Sequence, residues 1–268
     1  MPPILRVGRS VLKRLSTAVR FALVAFVTTA ACALRAGDAL AAAEVRRLSL
    51  VFSANPTSID AGGFNDVLDL YNERVIEPTG RQGLDRIGSG WWFDAELRYF
   101  VRQNVAVSVG VGQIKSQSKR EYLPLIQQDI LIRAEVLAVP VHIGGDYYLQ
   151  PYNQGDFQAR AYLGGGFLSL VKNKALLQQT EINTDPTTTL GGTFTRAAVR
   201  DAPGYYVQGG VHMFFAARYS VMVGTFYRSA KIRNMLDRTT GQPALVDGEP
   251  FDFDMGGIGA RMSLAIGF

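Results

Sequence analysis

The stretch "WWFDAELRYF" sets Asp94, Glu96 and Arg98 at every second position, with Phe93, Ala95, Leu97 and Tyr99 between and after them. Two carboxylates and a guanidinium on one face can neutralise one another as buried ion pairs, or can hand protons or ions along a polar path. Either use needs further polar groups facing them. The chain offers His142, Asp146, Arg160, Gln208, His212, Arg228 and Arg261, each set among apolar residues in the same alternating way. A period of two is the period of a strand, so the elements that must position this chemistry are strands with one polar and one apolar face.

Alternating segments run over about 46–53, 90–101, 104–114, 128–148, 156–171, 204–216, 218–231 and 254–268. Eight strands result. The connections alternate between long and short, which is the pattern of an up-and-down barrel with short turns at one end and long loops at the other. The last strand, "GIGARMSLAIGF", is the plainest case: Ile258, Ala260, Met262, Leu264, Ile266 and Phe268 share one face, and Gly259, Arg261 and Ser263 the other.

Size decides which face points inward. Opposite the polar residues stand bulky sets such as Val105, Val107, Val109 and Val111, while the polar faces are filled out with Gly, Ala and Ser. An eight-stranded barrel has an interior just wide enough for side chains, so the small, polar set suits the lumen and the bulky set suits lipid. Aromatics on the apolar face fall in two rows. Tyr99, Tyr147, Phe157, Phe215, Tyr219 and Phe268 lie toward the short turns, and Trp91, Phe93, Tyr205 and Tyr227 toward the long loops, as belts at two headgroup layers would.

The start of the chain supplies the compartment. Arg6, Arg9, Lys13, Arg14 and Arg20 precede the apolar run "FALVAFVTTAACAL" and the small-residue stretch "ALAAAEV", so residues 1–43 read as a secretory signal and 44–268 as the barrel domain. That leader carries the whole formal net charge of +5. The remainder is near neutral, and the basic balance therefore argues for no nucleic-acid partner. The lone Cys32 leaves with the signal, so no disulfide framework is expected.

With these features together, the chain resembles the small eight-stranded outer-membrane barrels of Gram-negative bacteria, the OmpA-like and OmpW-like group. The resemblance implies an all-β, antiparallel transmembrane barrel in the cell outer membrane, monomeric, in contact with outer-membrane lipid and lipopolysaccharide. It also implies that Phe268, with Ile266, Leu264 and Met262 before it, is the signal read by the barrel-assembly machinery. Two roles follow. One is an envelope-structural or surface-interaction protein whose lumen is closed by the network Asp94, Glu96, Arg98, His142, Arg160, Gln208, His212, Arg228 and Arg261. The other is a porin-like or OmpW-like conduit for small apolar molecules or ions; the charged inward set favours the closed form.

No enzyme is expected. Barrels that act on lipid need a nucleophile and base at the rim or outer loops, whereas both histidines fall on the lumen face, and neither "VHIGG" nor "VHMFF" has a Ser two residues after the His. No cofactor or metal is expected either: Asp247, Glu249, Asp252 and Asp254 could take calcium, but read more simply as a solvated loop. Within the lumen, Glu96 falls near the height of Arg160, and Asp94 near that of Arg261.

Two further expectations concern irregularities. In strand four Ile130, Ile132, Ala134 and Val136 share one parity, while Leu137, Val139, Val141 and Ile143 share the other; a bulge near Val136 would keep the apolar face outward, and Pro140 lacks a ladder donor. In the first long loop "FNDVLDLYNERVI" puts Phe64, Leu68, Tyr71 and Val75 at helical spacing, a helix suited to the barrel mouth or the outer interface.

Overall fold

The computed structural model describes residues 47–122, 130–154, 157–181, 189–195, 202–215, 218–246 and 248–268; the expected secretory segment lies outside the described residues. Eight antiparallel strands form the barrel: β1 (Leu48–Ser58), β2 (Ser89–Arg102), β3 (Val105–Tyr122), β4 (Ile130–Tyr148), β5 (Phe157–Glu181), β6 (Pro203–Phe214), β7 (Tyr219–Ile232) and β8 (Gly257–Gly267). Each pairs with its neighbours in sequence, and β8 pairs back onto β1 with Leu50 opposite Ile266 and Ser53 opposite Ser263. The closing pair is fastened inside as well, where the Ser53 and Ser263 hydroxyls lie 2.7 Å apart. Closure leaves no free edge, so every stave finds its backbone partners within the wall.

In the lower part of the wall the side chains sort as their period dictates. Val107, Val109 and Val111, Leu97 and Tyr99, Val207, and Met262 and Leu264 point out and are exposed, while Asp94, Glu96, Arg98, Gln208 and Arg261 point in and are buried. Inward glycines make room for large side chains reaching across the tube. A Cβ on Gly224 would stand 2.9 Å from the Tyr162 hydroxyl, and one on Gly210 would stand 3.0 Å from it.

Above that zone the polarity of both faces reverses. Ile114, Ile132, Ala134, Val136, Ala138, Leu168, Leu170, Ala175, Leu177 and Ile232 now point inward into one apolar core, and Lys115, Gln117, Lys119, Arg133, Lys172 and Lys174 point outward. The expected bulge in strand four is therefore absent. Even-numbered residues of β4 face inward from Ile132 through Pro140 to Tyr148 without a break, because water-facing wall buries its apolar side rather than showing it.

The irregularity sits one stave over. Val139 pairs with Lys172 but Pro140 pairs with Leu170, which leaves Val171 of β5 as an extra residue. The inward set of β5 changes from Leu168 and Leu170 to Asn173, Ala175 and Leu177 across it. Pro140 falls at this point, where its missing N–H costs least.

The mouth is filled by the first long loop. The helix α1 (Gly63–Tyr71) buries Phe64 and Leu68, and Phe64 packs edge-on against Phe253 with centroids 6.2 Å apart. The helix then widens into a π turn over Asn72–Ile76, which carries Ile76 inward and leaves Val75 exposed, contrary to the plain helical spacing. Asn65 clamps the returning loop by bonding both the N–H and the carbonyl of Ile87 (2.8 and 2.9 Å), and Asn72 does the same for Leu84 (2.8 and 3.0 Å). Among the described residues no helix is long and apolar enough to cross a membrane, so any crossing is made by strands.

Candidate functional site: the lumen network

Five polar side chains meet at the centre of the tube. Glu96 accepts from Arg98 on its own strand, with Nη2 and Nε at 2.6 and 2.9 Å, and from Arg261 of β8 at 3.2 Å. Arg98 continues to Asp146 of β4 at 3.0 Å. Asp146 accepts from Gln208 of β6 at 2.7 Å, and Gln208 in turn accepts from Arg261. The ring Glu96–Arg98–Asp146–Gln208–Arg261 thus joins four staves through charge-assisted bonds, with Glu96 and Arg98 wholly withdrawn from solvent. These side chains lie together because each occupies an inward position of its strand and the barrel's diameter lets opposite walls touch.

Toward the short turns Arg98 also donates to the Tyr148 hydroxyl at 2.7 Å and contacts the Met222 sulfur. That hydroxyl lies 3.1 Å from His212 Nδ1, whose Nε2 lies 2.7 Å from Ser220 Oγ. Arg160 closes this end, bonding Gln158 at 3.0 Å and the Gln103 carbonyl. Arg160 is the neighbour expected for Glu96 at this height; the structure gives Glu96 to Arg98 and Arg261 instead, with Arg160 taken up by Gln158 and the Gln103 carbonyl.

Toward the loops His142 Nε2 lies 2.9 Å from Asp94, so Asp94 meets a histidine of β4 rather than Arg261. Trp92, His142 and Tyr206 follow as edge-on rings with centroids 5.9 and 5.6 Å apart. Arg228 stands over Trp92 and Phe226, at 5.3 and 5.9 Å, and donates from Nε to the Met255 carbonyl at 2.7 Å. Among the described residues its two Nη groups are buried without a hydrogen-bond partner.

Asp94, Glu96 and His142 also bring one ligand atom each within 4.8 Å of one another, a spacing that fits a metal ion. Both oxygens of Glu96 are held by guanidinium groups, however, and two adjacent arginines oppose a cation. The arrangement does ion-pair chemistry. Sequence periodicity sets Tyr162 and Ser220 on the inward face without giving them a role, and does not single out Tyr148, Tyr206 or Met222, although their parity matches that of Asp146, Arg160 and Gln208.

Elsewhere, Met262, Leu264 and Phe268 stand exposed on the outer face of β8 with Ile266 between them. Of the acidic loop residues, Glu249, Asp252 and Asp254 line an open cleft of about 430 Å³ with Asp60, Asp66 and Lys231. Asp247 lies outside the described residues.

Wall and lumen together define an eight-stranded barrel of the outer-membrane type, apolar without and ion-paired within. No family model matches the chain, and no curated protein does. Among solved structures it is similar to Neisserial surface protein A, NspA (12% identity, TM-score 0.35, covering 82% of this chain and 96% of that one). It is also similar to the N-terminal β-barrel domain of Pseudomonas aeruginosa OprF (11%, 0.31, 82% and 97%). The outer membrane protease OmpT of Escherichia coli matches at 9% identity and TM-score 0.30, covering 82% and 95%.

Proposed function

We propose that this chain is a monomeric outer-membrane barrel, exported by residues 1–43, which serves the envelope as a structural or surface-interaction protein rather than as a catalyst or an open pore. The observation that carries the reading is the reversal of polarity along one continuous wall. Below it, large apolar side chains stand exposed around the barrel: Phe52, Leu97, Val109, Ile143, Leu163, Phe167, Val207 and Leu264 are all more than a third accessible. In water such a girdle would drive aggregation; in lipid it is the favoured surface. Above it the outward faces of β3, β4 and β5 turn cationic and amide-bearing, with Lys115, Gln117, Lys119, Arg133, Lys172 and Lys174, as wall standing in water would.

The closed-lumen half of the reading rests on the ring around Glu96 and on the apolar core and helix above it. The Arg98 and Arg228 side chains, both fully buried, fill the tube at two heights. The loops that would meet a partner are those around α1 and the acidic cleft. Reconstitution of the purified barrel into a planar bilayer tests the proposal. Silence, together with a heat-dependent shift in gel mobility, is expected; steady single-channel steps would replace the plugged barrel with the conduit.

A further inference from the structure

Arg228 stands apart from the other arginines of the lumen. Glu96 and Asp146 bridge Arg98, and Glu96 holds Arg261 as well, whereas no carboxylate bonds Arg228 among the described residues. Among those residues the buried charges that face the lumen are three carboxylates, Asp94, Glu96 and Asp146, against four guanidinium groups, Arg98, Arg160, Arg228 and Arg261. With both histidines neutral, four against three leaves one positive charge in excess. Arg160 is 8% exposed, at the short-turn end, whereas Arg228 is 0% exposed. The excess that water does not reach therefore rests on Arg228.

Its head group is held in place. Nε donates to the Met255 carbonyl at 2.7 Å, and the guanidinium lies 5.3 and 5.9 Å from the rings of Trp92 and Phe226, which pack edge-on with centroids 5.1 Å apart. Nη1 and Nη2 then project as a fixed fork of N–H donors, and neither finds an acceptor among the described residues. Asp254, the carboxylate whose field reaches Arg228, accepts instead from the Gly256 N–H at 2.7 Å. The indole N–H of Trp92 is a further buried donor without a partner among the described residues. Donors thus collect in a part of the tube that the apolar core fills, with Trp92, Phe226 and Met255 among its members.

A charge withdrawn from water without a counter-charge is among the costliest things an interior can hold. Water would satisfy the donors and leave the charge, whereas a bound anion answers both. An eight-stranded tube has little room beyond its own side chains, so the anion must be compact, and a fork aimed at one point suits a single-atom ion.

We propose that Arg228 is the core of a halide-binding site in the upper lumen, with the ion between Nη1 and Nη2 and beside Trp92. The site rests on the closed lumen proposed above. Because that lumen is sealed, the ion enters while the barrel forms and stays as part of the folded interior.

The test uses Trp92 as its own reporter, since the chain has two tryptophans and Trp91→Phe leaves Trp92 alone. The full chain carrying Trp91→Phe is refolded in uncharged micelles over a series of sodium bromide concentrations, with sodium gluconate, whose anion is too large for the lumen, keeping the ionic strength constant. The heat-dependent gel shift confirms folding at each step. Bromide quenches a neighbouring indole, so Trp92 emission should fall along a saturating curve, recover when chloride replaces bromide during refolding, and stay unchanged when caesium or acrylamide is added afterwards. In Arg228→Met the saturating component should vanish. Quenching that never saturates, or that is equal in Arg228→Met, overturns the site. Strong quenching by acrylamide overturns the closed lumen, and the site with it, whereas silence toward bromide and acrylamide alike removes the site and leaves the closed lumen standing. Should Arg228→Met not fold, Arg228→Lys keeps the charge but loses the fork, and half-saturation should need about tenfold more bromide; an unchanged curve overturns the proposal.

Discussion

Arg261 reaches the Glu96 carboxylate at 3.2 Å from a position 165 residues further along the chain. Glu96 sees no water and Arg261 almost none, so each is tolerable only because of the other and of Arg98 beside them. Glu96→Ala should lower unfolding stability by about 3–5 kcal/mol, and the Glu96→Ala/Arg261→Met double variant should lose less than the sum of the two single changes. Urea unfolding in micelles, followed by circular dichroism, measures both. Additive losses would mean that the two groups do not interact.

Arg228 is the opposite case. It is equally buried, yet among the described residues two of its nitrogens lack a hydrogen-bond partner, two aromatic rings stand beside its guanidinium, and the carboxylate that acts on its charge, Asp254, is not bonded to it. Replacement by an apolar side chain of similar length should therefore be neutral or stabilising, by up to about 1–4 kcal/mol. Arg228→Met is expected to unfold at the same or higher urea, and Arg98→Met at clearly lower urea. A large loss for Arg228→Met would show that the attraction of the Asp254 carboxylate outweighs the cost of burying the charge.

The assignment of faces is tested by neighbours in sequence. Val109 is exposed outward, whereas a Cβ on Gly110 would stand 2.5 Å from Nε2 of His142. Val109→Arg should impair insertion, at a cost of about 2–4 kcal/mol near the middle of the girdle. Gly110→Val should insert normally but lose about 1–3 kcal/mol through overpacking, with His142 displaced from Asp94. Insertion is read by the heat-dependent gel shift and stability by melting. Reversed outcomes for the two variants would invert the faces.

Deleting Val171 removes the one residue that β4 leaves unpaired, so that Leu170 opposite Pro140 and Lys172 opposite Val139 become consecutive rungs, with Lys172 and Lys174 still outward and Asn173, Ala175 and Leu177 still inward. The deletion should therefore be tolerated, with amide protection over residues 130–139 and 172–179 kept. Lost protection there would show that the wall above the bulge pairs in another register.

In the outer loops Asp252 is the group whose titration the geometry fixes. Burial pushes its carboxyl upward, but the Lys231 ammonium at 3.1 Å and the Asn234 N–H, also at 3.1 Å, outweigh that and hold it below the ordinary range. A lowered native value means the contact contributes fully above the unfolded carboxyl's value, about 3.9, and fades as pH falls through the lower native one. Carboxyl-carbon NMR should show Asp252 titrating below exposed aspartates, and Lys231→Ala should move it up. An unmoved midpoint would separate the pair.

The eight staves, their order and the inward set from Asp94 to Arg261 are all legible in the sequence, because a period of two survives wherever one face meets lipid and the other a narrow lumen. Legibility fails where the solvent changes. Ile132, Ala134 and Val136 look out of phase only if lipid is assumed to surround the whole wall; their parity is regular, and what reverses is the medium outside. Partners within the lumen are hidden for another reason. Whether Glu96 finds Arg160 or Arg261 depends on strand tilt and on the offset between β8 and β1, quantities that no single strand encodes. The π turn at Asn72–Ile76 is likewise unsignalled, since its residues serve an ordinary helix as well.

Pairing of β1 with β8 has a kinetic meaning. Ser53 and Ser263 are 210 residues apart, so the seam closes one of the longest loops the chain can make, and its entropic penalty falls due before the girdle is sealed. Hairpins such as β2–β3 can zip locally and early, but the lumen ring cannot, because Arg261 arrives only with the last stave. Assembly should therefore pass through an open, unplugged sheet with Glu96 and Asp146 still wet. Locking of the interior and sealing of the wall then become a single late event.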